Sequence, residues 1–173
     1  MRKIDTYVLY KSDILEPDLN DFLNDRRDLR KAWHSAISLF HLSDWIFTTN
    51  KDKIVGNYTY RQDSGLVKAV SKTEHFANYI GQRFPDFQII RGVAHSSKHL
   101  RLRAPPVGRN NPSGMPSDAA NSFVPDGSFS TGFSGAFDIG EVMIEADPTP
   151  IAFAALAKSV LKMWNDIIPA EGW

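Results

Sequence analysis

The chain has 173 residues, with 20 basic and 20 acidic side chains, five His and no Cys. That length suits one domain spanning 1–173, large enough to bury a core without a disulfide or structural metal, and the lack of Cys excludes disulfides, thiolate nucleophiles and Cys-based zinc sites. With 42% apolar and 23% charged residues the composition is globular, and no apolar run reaches the roughly 18–20 residues of a membrane span or resembles a signal peptide, so a cytoplasmic location without membrane contact is expected.

Residues 4–10 alternate weakly and predict a short strand or extended lead-in. Leu19, Phe22, Leu29, Trp33, Ala36, Ile37, Phe40 and Phe47 then recur in steps of threes and fours. That spacing predicts a helix over about 17–48, or two helices with a kink near Ser43, started by Pro17 with Asp18 and Asp21 in its first turns. A polar, Gly-punctuated loop follows from Asn50 to Gly65, with a brief strand at Tyr58–Tyr60. Residues 66–84 return to helical spacing through Leu66, Val70, Phe76, Ala77, Ile80 and Phe84. Pro85 stops that helix and opens a third, running to about Leu102.

From 104 to 135 Pro and Gly are dense, which predicts a long loop with a small hairpin turning at Pro125-Asp126-Gly127. Phe123, Phe129, Phe133 and Phe137 are read as pinning that segment to the rest, or as covering a pocket. A strand is expected near Glu141–Glu145. A last helix follows, capped by Asp147 or Thr149, carrying Phe153, Leu156, Val160, Met163 and Trp164 inward, and ended by Pro169 and Gly172. The expected fold is mainly α: a bundle of about four helices, with a Pro/Gly-rich, partly β excursion over about 104–147. Trp33, Trp45 and Trp164 are expected at its core or rim.

All five His fall on expected helices. At 100° per residue, His34 and His41 are about 20° apart and Asp44 lies about 80° from His34, so one helix can present all three to one side. His95 and His99, four apart, share a face of the third helix. If the two faces meet, imidazoles and a carboxylate converge inside a bundle. One chemistry for that set is a metal held by His34, His41 and Asp44, since imidazole and carboxylate ligands on facing helices suit Zn, Fe, Ni or Cu. Ser96 stands where a metalloprotease helix would carry Glu after its first His. Another chemistry is acid–base work on RNA by His99, His95, Arg91 and Lys98: a neutral His takes a ribose hydroxyl proton while Arg or Lys holds the phosphate. The bland alternative is that these His are hydrogen-bonded partners at the core rim. No P-loop or G-x-S-x-G occurs, and no cofactor is expected.

The stretch FANYIGQRFPDFQIIRGVAHSSKHLRL resembles a motif of small bacterial helical-bundle proteins of unassigned activity. In those proteins a helix ends in Pro and the next carries an Ala-Asn-x-x-Lys-His-like core. Ala94, His95, Lys98 and His99 are the matching residues, and HLSDWIF and KMWNDII look like the same family. The resemblance covers 15–103 and 150–168. More distantly the arrangement is similar to the HEPN helical-bundle superfamily, whose members include ribonucleases of toxin and defence systems and non-catalytic binding modules. The HEPN nuclease signature leaves four to six residues between its Arg and its His. Arg91 to His95 has three residues between and Arg91 to His99 has seven, whereas Arg27-Asp28 to His34 has six.

Charge divides unevenly: residues 1–103 hold 17 basic and 12 acidic side chains, and 104–173 hold 3 and 8. A mildly basic half suits a polyanion, or attraction between two halves of one domain. The resemblance implies RNA or another nucleotide-bearing partner. The rivals are a non-catalytic module that binds a protein partner and a metal-dependent bundle enzyme. The oligomeric state is left open, a homodimer included.

Overall fold

A computed structural model describes residues 3–96, 122–123, 141–144 and 150–173. It is mainly helical, with two small antiparallel sheets. The first turn runs helically at once. Thr6 caps α1 (Tyr7–Tyr10) by accepting a hydrogen bond from the Leu9 N–H at 3.2 Å. The chain continues through a π-helical turn, Lys11–Leu15, into α2 (Glu16–Asn24). The strand or extended lead-in expected over 4–10 is therefore corrected: a cap at Thr6 and burial of Tyr10 favour helix over an unpaired strand.

A second correction concerns the helix expected over 17–48. It breaks at 25–28, not near Ser43. Asp28 starts α3 (Leu29–Thr49), its carboxylate accepting from the N–H groups of Arg30 and Lys31 at 2.9 and 3.1 Å. An Asp side chain there competes with helix continuation and satisfies the new helix's first donors. The break lets α2 fold back on α3. Small residues make the approach close: Ser35 donates to the Asp18 carbonyl at 3.0 Å, and Ser38 donates to the Asp18 carboxylate.

α3 is the central element, with Ala32, Ala36, Leu39, Leu42 and Ile46 all buried. The short α4 (Lys51–Ile54) leads into a hairpin, β1 (Thr59–Arg61) and β2 (Val67–Ala69), paired Thr59 to Ala69 and Arg61 to Val67. Gly65, at φ +81°, makes the turn. The strand at Tyr58–Tyr60 is thus found one residue on, but the helix expected from 66 starts only at Thr73. Leu66 and Val70 sit at helical spacing, yet Leu66 is exposed in the hairpin and only Val70 is buried. α5 (Thr73–Arg83) then ends before Phe84, and Pro85 opens α6 (Pro85–Ser96). The rest of the third helix, 97–102, lies outside the described residues.

Of the excursion, β3 (Ser122–Phe123) pairs with β4 (Met143–Ile144), and β4 pairs with β5 (Ile151–Ala152). The turn at 125–127 and Phe129, Phe133 and Phe137 lie outside the described residues. α7 (Phe153–Ala170) starts after Ala152, without a side-chain cap. That corrects the start expected at Asp147 or Thr149, because Ile151–Ala152 are taken up in strand pairing. Pro169 does not end α7 but lies within its last turn, and it is Gly172 that closes the helix: with φ +67° it donates to the Pro169 carbonyl, while Trp173 N–H reaches the Ile168 carbonyl at 3.1 Å. Inside, the Trp164 indole is fully buried and donates to the Leu39 carbonyl at 3.2 Å. Trp33 and Trp45 are half-buried against the same core.

Candidate functional site

The seam between α3 and α6 gathers the polar side chains. On α3 the solvent-facing stripe carries His34, Ile37, His41 and Asp44, four or three residues apart and so on one side of the helix. His34 is exposed; His41 and Asp44 are each about one-third exposed and form a pair, Nδ1 to Oδ2 at 2.9 Å. An ionised carboxylate only accepts, so the Nδ1 facing it carries a proton, and in the neutral ring the lone pair then sits on Nε2.

α6 brings Arg91 and His95 to the same region. The buried Phe40 ring joins the two helices: its centroid is 5.3 Å from the His41 ring and 5.2 Å, edge-on, from the His95 ring. Both imidazoles therefore lie against one phenyl ring. One turn before His95, Arg91 is half-buried, and its Nη1 donates to Asn78 Oδ1 of α5 at 2.6 Å. Burial depresses the Arg91 pKa, while the carboxylates of Glu74 and Asp44 pull it back up. The guanidinium remains a cation, hydrogen-bonded to a neutral amide and within electrostatic reach of two carboxylates.

Asp44 also acts on its other side. Tyr10 of α1 stacks on Trp45 with centroids 5.2 Å apart. Burial raises the Tyr10 hydroxyl to about 12; a hydrogen bond with Ser38 lowers it, and the charges of Asp18 and Asp44 raise it. One carboxylate thus bonds His41 and lies within electrostatic reach of both Tyr10 and Arg91.

The structure brings together four of the residues singled out from sequence: His41 and Asp44 on α3, Arg91 and His95 on α6. His34 lies on the same stripe but is exposed, and among the described residues no three His, Asp or Glu side chains are grouped to hold a metal ion. Lys98 and His99 lie outside the described residues. His75 stands apart, packed on Tyr60 at 4.9 Å with Nδ1 3.1 Å from Ser71 Oγ, where it anchors the hairpin. The Arg27-Asp28 to His34 spacing has a local cause in part, because Asp28 caps α3. Asn78 is not legible in the sequence: a lone Asn in a helix carries no chemical signal until its partner on another helix is known.

No protein-family model matches the chain, and neither a curated protein nor a solved structure matches it.

Proposed function

We propose that this chain binds and acts on RNA, or on another nucleotide-bearing partner, at the α3–α6 seam, as a ribonuclease of the toxin and defence kind. The observation that carries the reading is the His41–Asp44 pair beside a half-buried arginine and a second imidazole. In this reading His41 Nε2 takes the proton of a ribose 2′-hydroxyl. The 2′-oxygen forms a bond to the adjacent phosphorus as the bond from phosphorus to the 5′-oxygen breaks. A protonated His95 gives its proton to that departing oxygen. Arg91 is the cation for the phosphate, with a planar fork of donors of which the Asn78 contact uses one. The net charge of +5 over residues 1–103 and the resemblance of Ala94 and His95 to the bacterial bundle motif support the same reading.

The test is cleavage of end-labelled RNA in the presence of a chelator. The wild type is expected to cut, and His41→Ala to lose about 10²–10⁴-fold in rate. Cleavage that a chelator abolishes would instead favour the metal-dependent alternative. Absence of both cleavage and RNA binding would leave the polar set as the rim of a protein-interaction module.

A further inference from the structure

Among the described residues, the β1–β2 hairpin has one edge met by a side chain of α5 and one edge left open. Gln62 N–H bonds to the Leu66 carbonyl and Val70 N–H to the Tyr58 carbonyl, each at 2.8 Å. Bonded pairs alternate with unbonded ones along an antiparallel ladder, so Tyr60 and Lys68 form the next bonded pair. The N–H and C=O groups of Thr59 and Arg61 on one side, and of Val67 and Ala69 on the other, then point away from the hairpin. On the β1 side, Gln82 of α5 takes both of Arg61's groups: Arg61 N–H to Oε1 at 2.9 Å, and Nε2 to the Arg61 carbonyl at 2.5 Å. A side-chain amide there does the work of a neighbouring strand.

On the β2 side, nothing among the described residues bonds the outward groups of Val67 and Ala69. All three residues of β2 are exposed, and Leu66 and Val67 keep 56% and 54% of their surface in water. Such an edge admits another extended chain and little else, because only a strand matches alternate pairs of outward donors and acceptors. Lys68 lies between them, on the same face as the buried Tyr60, and Arg61 lies across from Val67 on the other face. The register that overlaps β2 fully with its own copy sets Lys68 against Lys68, and like charges directly opposite are destabilising. The geometry points to the open edge of β2 as a docking site for an extended segment of another protein, antiparallel to β2, with a carboxylate opposite Lys68 between small apolar residues opposite Val67 and Ala69.

The experiment uses the whole ¹⁵N-labelled chain and a blocked pentapeptide, Thr-Val-Glu-Val-Thr, at millimolar concentration. The Val67 and Ala69 amides are expected to move downfield and exchange more slowly with solvent. The same peptide with Lys in place of Glu should need about tenfold more to reach the same shift, from the reversed charge pair. Ala69→Pro removes an outward N–H without touching the bonds to β1, and should abolish the shifts. Lys68→Glu, which leaves the backbone alone, should reverse the preference between the two peptides. No change at Val67 and Ala69 with either peptide would overturn the proposal, as would equal binding of both. Shifts that grow with protein concentration in the absence of peptide would also overturn it, by assigning the edge to a second copy of the chain.

Discussion

His41 and Asp44 stand one turn apart on α3 with Nδ1 and Oδ2 separated by 2.9 Å. The pair is open enough to water that it adds little to the fold; exposed ion pairs are worth about 0–1 kcal/mol. Its value lies in holding the ring in one orientation and one tautomer. Asp44→Asn is therefore expected to leave the melting temperature within a couple of degrees of wild type. It should lower RNA cleavage by about tenfold or more, because the amide can offer its NH2 to Nδ1 and favour the wrong tautomer. Melts and single-turnover cleavage on the same preparations check this. A large loss of stability with unchanged cleavage would show the pair to be structural.

Arg91 tests geometry against charge. Arg91→Lys keeps the cation but loses the fork that reaches Asn78 Oδ1. The variant is expected to bind RNA several-fold more weakly and to lose about 1 kcal/mol of stability, the net worth of one hydrogen bond. RNA titrations at fixed salt and urea melts measure the two effects. Unchanged RNA affinity would remove Arg91 from the site.

Tyr10 gives the fold an alkaline limit. Its hydroxyl ionises at about 12 in the folded chain, against an ordinary value of 10.0. Folding thus favours the neutral form. This contribution is whole below pH 10 and declines as pH rises from 10 towards 12. Tyr10→Phe has nothing to ionise, so its stability should fall less than wild type over that window. The difference between the two urea midpoints, followed from pH 9 upward, should shrink or change sign.

Asp28 gives the opposite limit. The Lys31 N–H, followed by the Arg30 charge, the Arg30 N–H and the Lys31 charge, holds its carboxyl below the ordinary carboxylate value. A depressed value stabilises the fold above about pH 4, and the gain is lost as pH falls through the folded-state value. Asp28→Asn keeps an acceptor for the α3 amides without an ionisation, so its acid unfolding should be shallower than wild type. Asp28→Ala removes the cap and should lower the melting temperature by several degrees already at neutral pH.

Much of the helical frame is readable from residue spacing and punctuation. Pro85 separates α5 from α6, and Gly172 ends α7, because backbone chemistry at those positions is local. The pairing of His41 with Asp44 is likewise local, since residues three apart on a helix are neighbours. The break at 25–28 hides behind continuous helical spacing, with no Pro or Gly to mark it; only the cap geometry of Asp28 reveals it. Leu66 and Val70 mislead for a similar reason. Four-residue spacing fits both a helix face and a strand entered from a turn, and the Gly65 turn decides for the strand. Asn78 and Phe40 matter through partners on α6, and contacts between helices leave no pattern along the chain.

The most direct test of the seam as a site is an NMR titration of the imidazole signals of His41 and His95 with a short single-stranded RNA. The account predicts that both rings shift together and saturate at one RNA concentration, and that His34 and His75 stay put. Shifts confined to His34 or His75, or no shift at either seam histidine while RNA binds elsewhere, would contradict it.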